Sequence, residues 1–321
     1  MRCCLFTDQY QTEVPKDQGV IIDGQISLMH SLNLASDISL NYVIGAEHLE
    51  AYDRFYLNCV LYDQTMVRVE PVLRGDYYYF TLDGLTAVTI NDVVEATLTM
   101  WSGEQCYTSP TDRYSVAQYA YTQLGKENSS TELKRLCADL LRYGALAQSY
   151  KAYRIHALAD SRLTESQKAY LTDLEKVSFV KTDRIGNEFT EPVAVWRGKA
   201  LDLTSKVGLT LVFSVTDPEI SAEDLRLKVS YTDSDGKALT AWIGGARLYH
   251  EEMGYYAFSF HELPVSELRT VAEMQIYLAD TPLSCTLTYS AESYGSNKTG
   301  TLGQLCKALF AYSDSAAAFF R

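Results

Sequence analysis

Residues 133–150, LKRLCADLLRYGALAQSY, decide how the chain is read. Leu133, Leu136, Cys137, Leu140, Tyr143, Ala147 and Tyr150 recur at spacings of three and four, which puts them on one face of an amphipathic helix. Lys134, Arg135, Asp139, Arg142 and Gln148 point away from that face. The same pattern returns at 302–319, LGQLCKALFAYSDSAAAF, with Leu302, Leu305, Cys306, Leu309, Tyr312, Ala316 and Phe319 in the equivalent places at a constant offset of 169 residues. Two helices with one facial pattern, each following a β-rich segment, predict a tandem repeat.

The segments upstream of the two helices match as well. SDISLNYVIG (36–45) alternates Ile38, Leu40, Tyr42 and Ile44 and pairs with TSKVGLTLVFSV (204–215). FYLNCVLYD (55–63) finds its counterpart in LRLKVSYTD (225–233) at offset 170. YYYFTLDGL and VVEATLTMW find theirs in YYAFSFHEL and VAEMQIYLA at offset 178. Thr65–Leu73 and Tyr77–Leu82 read as two strands joined by a hairpin turn at Arg74-Gly75-Asp76. The drifting offsets place insertions in connections, as expected for two copies of one fold. A helix is predicted from about Arg113 to Leu124, capped by Thr111 or Asp112. Its counterpart YSAESYGSNKTGT is rich in Gly, Ser and Asn, so that helix is expected to be short or absent. A further short helix over Leu163–Leu174 starts at Thr164 with a capping-box spacing.

The fold class expected is therefore α+β: two tandem copies of an antiparallel β-sandwich or sheet, each closed by a C-terminal amphipathic helix that seals the sheet's apolar face. Residues 1–18 are expected to be a poorly ordered lead-in, 19–176 the first copy and 177–321 a shorter second copy. No Pro- or Gly-rich linker marks the boundary near Lys176, which predicts that the two copies pack on each other.

At 321 residues, with 47% hydrophobic and 21% charged content, the chain is long and apolar enough to bury real cores. A formal net charge of −13 argues against nucleic acid and anionic membrane as partners. No run of about 18 apolar residues is present, so no membrane insertion is expected. The opening MRCCLFTDQY lacks the features of a signal peptide, so the expectation is a protein that stays inside the cell or a piece of a longer secreted chain. Seven cysteines without tight spacing make no disulfide framework, and Cys59, Cys137 and Cys306 read as buried thiols.

No H-E-x-x-H, C-x-x-C, P-loop or G-x-S-x-G occurs, so neither a metal nor a cofactor is expected. His250-Glu251-Glu252 and His261-Glu262 read as solvated strand ends. Asp233-Ser234-Asp235-Gly236 resembles the start of a calcium loop but lacks its remaining ligands, and reads as a hairpin turn. Glu47 with Glu50, or Glu70, are the carboxylates that a glycoside hydrolase would need, though nothing selects them over solvated acids. Tyrosine is the unusual feature, with 24 in the chain. Tyr77, Tyr78 and Tyr79 are consecutive in a strand and so must use both faces, and Tyr255-Tyr256 repeats this in the second half. These five are the candidate ligand-binding residues, because exposed aromatic rings stack on sugars or anchor protein interfaces.

Tyr114, Ser115, Val116 and Tyr119, then 133–150, then the ADxxLTxxQKAYxxDL stretch of 159–174, together resemble a module of large multidomain surface proteins of clostridial gut bacteria. The resemblance covers the first half well and the second loosely. It implies an extracellular or cell-surface location in a Gram-positive organism and implies no activity. The function expected is a non-catalytic surface module for binding or spacing, adhesin-like, with a host protein or a glycan as ligand. A carbohydrate-binding module, an immunoglobulin-binding protein and an enzyme of unrecognised type are the alternatives.

Overall fold

Alternating apolar and polar residues convert into four largely antiparallel sheets in the computed structural model, which describes residues 20–34, 38–203 and 207–320. The lead-in predicted over 1–18 lies outside the described residues. In chain order the first half forms β1 (Ile21–Ile22), β2 (Met29–Asn33), β3 (Ile38–Gly45), β4 (Arg54–Val60), β5 (Met66–Val69), β6 (Val72–Arg74), β7 (Tyr77–Leu85), β8 (Val94–Ser102), β9 (Gln105–Thr108) and β10 (Asp112–Tyr114). Helices α1 (Val116–Gly125), α2 (Thr131–Lys151) and α3 (Glu165–Lys168) follow. The second half forms β11 (Arg184–Ile185), β12 (Ala194–Asp202), β13 (Gly208–Val215), β14 (Leu225–Thr232), β15 (Ala238–Gly244), β16 (Arg247–His250), β17 (Tyr255–Phe260), β18 (Ala272–Leu278), β19 (Thr281–Pro282) and β20 (Leu287–Tyr289). It ends in α4 (Ala291–Gly295) and α5 (Gly300–Phe320). The fold is a β-rich α+β fold.

The first compact unit gathers residues 20–33, 39–83 and 91–119. It holds a sheet of order β1-β9-β8-β4-β5, with β10 also on β8, and a second sheet of order β2-β3-β7-β6. Leu57 and Cys59 of β4 and Ala96, Leu98 and Met100 of β8 are buried, and so are Leu40, Tyr42 and Phe80 on the other sheet. The segment 65–73 reads as one strand in sequence but is two, β5 and β6, in different sheets. Pro71 lies between them and has no N–H with which to continue a ladder. The hairpin at Gly75-Asp76 is as expected, with Arg74 opposite Tyr77 and Gly75 at φ +59. The helix cap is not Thr111 or Asp112, which lies in β10: Ser115 Oγ accepts the Gln118 N–H at 3.1 Å and starts α1.

The second compact unit gathers 84–90 and the described residues from 120 onward, with Leu34 and Ile38. Its sheets have the orders β11-β20-β18-β14-β15, with β19 on β18, and β12-β13-β17-β16. Both α2 and α5 belong to this unit. The sequence assigns each helical stripe to its own sheet, but the two stripes meet each other. Tyr143 and Tyr312 stack at 5.9 Å between ring centroids, and Asp139 Oδ2 accepts the Ser315 hydroxyl at 2.6 Å. These two pairs run in opposite directions along the chain, so the helices pass one another in opposite senses.

Two of the five polar-side residues of α2 are enclosed, contrary to their reading as a face turned away from the core, while Arg135 is exposed and Lys134 and Arg142 are half-buried. Asp139 and Gln148 are fully buried. Asp139 also accepts from the Thr172 N–H (2.9 Å) and hydroxyl (2.7 Å). Gln148 donates to the Val88 carbonyl and accepts the Ala159 N–H. Gly144 sits against the turn at 87–90, where a Cβ would come within 2.2 Å of Ile90 Cδ1. As expected, Cys59, Cys137 and Cys306 are buried free thiols, joined by Cys106 and Cys285. The α4 helix is short, five residues, and Thr164 makes the expected capping box with Gln167 on a shorter α3. Among the described residues no helix is long and apolar enough to cross a membrane.

Candidate functional site

An open cleft of about 530 Å³ in the first unit is built around residues 49–55. A single 3-10 turn, Ala46–His48, begins it, held by the Ala46 N–H on the Asp76 carbonyl at 2.8 Å. Leu49 then drops into the core at 2% exposure. The loop is pinned again at its far end, where the Asp53 N–H donates to the Trp101 carbonyl (2.7 Å) and Asp53 Oδ2 accepts the Gly103 N–H (2.6 Å). A loop anchored at both ends presents its side chains on a fixed frame.

Those side chains are of two kinds. Phe55 and Tyr78 meet edge to face at 4.8 Å, and with Pro71 and Tyr52 they give the cleft an aromatic and apolar lining. Tyr52 is oriented by its hydroxyl, which donates to Asp23 Oδ2 at 2.8 Å, and by an edge contact with Tyr107. Loss of solvent, then the Asp23 hydrogen bond, pushes its phenol up to about 12. The same hydrogen bond, helped by the Gln25 N–H, holds the Asp23 carboxyl below its usual range. Tyr52 is thus a neutral donor at physiological pH. The polar lining is Glu50 and Asp53. Arg54, also at the cleft, has its guanidinium 4.2 Å from the centre of the Trp101 ring. Aromatic walls with carboxylate acceptors suit a ligand that offers both an apolar face and many hydroxyl donors.

Of the five candidate tyrosines, Tyr78 lines this cleft. Tyr77, 44% exposed, and Tyr79 alternate to the other side of β7, where Arg74 lies 5.4 Å over the Tyr79 ring. Tyr77 and Tyr79 therefore do not share the face of Tyr78. Tyr255 and Tyr256 are half-buried in the second unit, Tyr256 tilted against Phe213 at 6.0 Å. Among the candidate carboxylates Glu50 is at the cleft, whereas Glu47 faces His48 at 3.6 Å and Glu70 is paired with Arg68 at 2.7 Å. Tyr52, Asp53 and Phe55 also line the cleft, although no motif or periodicity in the sequence singles them out.

His250, Glu251 and Glu252 are exposed at a strand end, whereas His30 and His261 are held within the fold. His30 Nε2 is 2.6 Å from Asp112 and its ring stacks on Tyr114 at 3.7 Å, which ties β2 to β10. His261 is half-buried rather than solvated, and a Cβ on Gly208 would overlap its ring. The 233–236 segment is a hairpin turn in which Asp233 Oδ1 accepts the N–H groups of Asp235 and Lys237. Among the described residues no group of His, Cys, Asp and Glu could hold a metal ion.

No protein-family model and no curated protein matches the chain. Among solved structures the chain is similar to a GH family 64 laminaripentaose-producing β-1,3-glucanase from Paenibacillus barengoltzii, complexed with laminarihexaose. Identity is 7%, 82% of this chain and 50% of that chain are covered, and the TM-score is 0.21. The chain thus spans half the length of the glucanase, and a superposition this loose carries no argument about fold or activity.

Proposed function

We propose that the chain is a non-catalytic surface module that binds a glycan in the cleft at Tyr52, Phe55 and Tyr78. The observation that carries the reading is the pairing of a rigid aromatic wall with the acceptors Glu50 and Asp53 on a doubly anchored loop. Sugar rings offer C–H faces to the wall and hydroxyl donors to the acids. The location at the cell surface, as part of a larger protein, rests on the sequence resemblance.

The module consists of two tandem copies, and the cleft belongs to the first. Supporting this, ten strands and two helices follow in the same order in both halves, and the sheet orders β2-β3-β7-β6 and β12-β13-β17-β16 correspond, as do β8-β4-β5 and β18-β14-β15; the edges differ, β1 lying parallel on β9 and β11 antiparallel on β20. Tyr143 and Tyr312 occupy equivalent helix positions and meet each other, while Cys306 lies near Tyr143 and Cys137 near Tyr312. Reciprocal contact between equivalent residues is the signature of two-fold packing. In the first half five residues, 49–53, separate the 3-10 turn from β4, whereas in the second the turn Ala222–Asp224 leads directly into β14.

The test is a glycan array followed by calorimetry on the best ligand, with Tyr78→Ala and Tyr79→Ala compared after circular dichroism shows both folded. Tyr78→Ala should weaken binding about tenfold and Tyr79→Ala should leave it unchanged. Equal binding by wild type and Tyr78→Ala, or release of reducing sugar from the ligand, would overturn the reading.

A further inference from the structure

The solvent face of the β14/β15/β18 sheet sets an exposed indole beside two cations. Strict alternation sends Leu225, Leu227 and Val229 of β14 and Ala272, Met274 and Ile276 of β18 into the core. Their neighbours face outward, and the register sets them in rows. Trp242 is opposite Lys228, which is opposite Gln275, and Gly244 is opposite Arg226, which is opposite Tyr277. Trp242 is 48% exposed and meets Tyr277 edge to face at 5.1 Å. Lys228 Nζ lies 5.9 Å over the Trp242 ring.

The charge is out of keeping with the rest of the molecule. The chain has a net charge of −13, yet Arg226 and Lys228 stand two residues apart on one strand with no ion-pair partner among the described residues. Glu273, the one acid on these outward rows, is in the next row opposite Ser230. Gly244 has no Cβ, and one placed there would have nothing within 4 Å, so the ground beside Arg226 is open. An exposed indole on an edge strand is otherwise a liability.

We infer that this face binds an anionic saccharide, with a sugar ring on Trp242 and its carboxylate or sulfate between Arg226 and Lys228. The site does not depend on the cleft, which is in the other compact unit. A planar ring stacks on an indole at small entropic cost, and two cations that attract each other's counter-charge but not each other favour a shared anion.

The indole is also the reporter. Trp101 and Trp196 are 3% and 8% exposed, so ligand-dependent change in tryptophan emission reports on Trp242. The probes are tetragalacturonate, a heparin-derived tetrasaccharide and neutral maltotetraose, titrated into the full chain. One or both acidic probes should change the emission and maltotetraose should not. Arg226→Gln/Lys228→Gln should weaken binding about tenfold, as should a rise from about 50 to about 500 mM salt. Tyr78→Ala, in the cleft, should leave these titrations unchanged, so failure of the cleft reading and failure of this one are separable. Trp242→Ala, followed by calorimetry and checked for folding, should abolish binding. No response to either acidic probe, a response to maltotetraose of equal strength, or a response indifferent to the Arg226/Lys228 change would overturn the inference.

Discussion

Replacing Asp139 by alanine should destabilise the fold although it removes no apolar group from α2. The carboxylate is fully buried and accepts three hydrogen bonds: Thr172 N–H at 2.9 Å, Thr172 Oγ1 at 2.7 Å and Ser315 Oγ at 2.6 Å. Stranding a buried charge by removing its partner costs about 3–5 kcal/mol. Here the charge itself leaves and three donors lose their acceptor, at about 1 kcal/mol each or slightly more. The expected loss is about 3 kcal/mol, read as a lowered midpoint in urea denaturation followed by circular dichroism. Asp139→Asn keeps one acceptor oxygen and should lose about half as much. Combining Asp139→Ala with Ser315→Ala should recover about 1 kcal/mol relative to the sum of the single changes, because both remove the same bond. A loss below about 1 kcal/mol for Asp139→Ala would refute the claim that this carboxylate joins the two helices.

Gly144→Ala offers a test of sign. In an open helix the change would stabilise by about 1 kcal/mol, but here the new methyl meets Ile90 and the Ala87 carbonyl, so a net loss of about 2 kcal/mol is expected in the same urea assay. Tyr42→Phe should raise stability by about 1 kcal/mol, because the Tyr42 hydroxyl is buried and has no hydrogen-bond partner among the described residues; destabilisation would show that the hydroxyl is satisfied. Burial pushes the thiols of Cys59 and Cys137 up to about 12 and that of Cys306 up to about 11. Iodoacetamide at about pH 8 should therefore leave these three unlabelled in the folded chain and label them in denaturant, as read by peptide mass mapping.

What could be read from sequence was whatever repeats at a fixed period. The helix stripes at 133–150 and 302–319 and the alternation in β4, β8, β14 and β18 were legible because burial imposes their spacing. What the stripes pack against was not. Periodicity names a face and leaves its partner open, so each stripe was given to its own sheet, while Tyr143 in fact stacks on Tyr312. Asp139 and Gln148 misled for a related reason. A carboxylate and an amide on the polar side of a helix read as solvated unless their acceptors and donors are known, and these came from residues 11 to 176 positions away.

The cleft was hidden for a different reason. Its residues share no period, and residues 49–53, LEAYD, lie in a connection where no face pattern singles them out. The spacing between the strand matches hides it as well. The strand matches drift from offset 171 at Tyr42 and Phe213 to 170 at Leu57 and Leu227, although the 3-10 turn in the second half leads straight into its strand. The second half must therefore spend on the turn before 222 the residues that the first half spends on 49–53, so equal spacing conceals two different loops. One such loop carries Tyr52 and Asp53 into a cleft with Phe55 and Tyr78. The other ends on a strand whose outward residues are Arg226 and Lys228. If two copies of one sheet scaffold have diverged in function, it is at this point of the chain that their chemistry separates: acids and aromatic walls in the first, cations beside an exposed indole in the second.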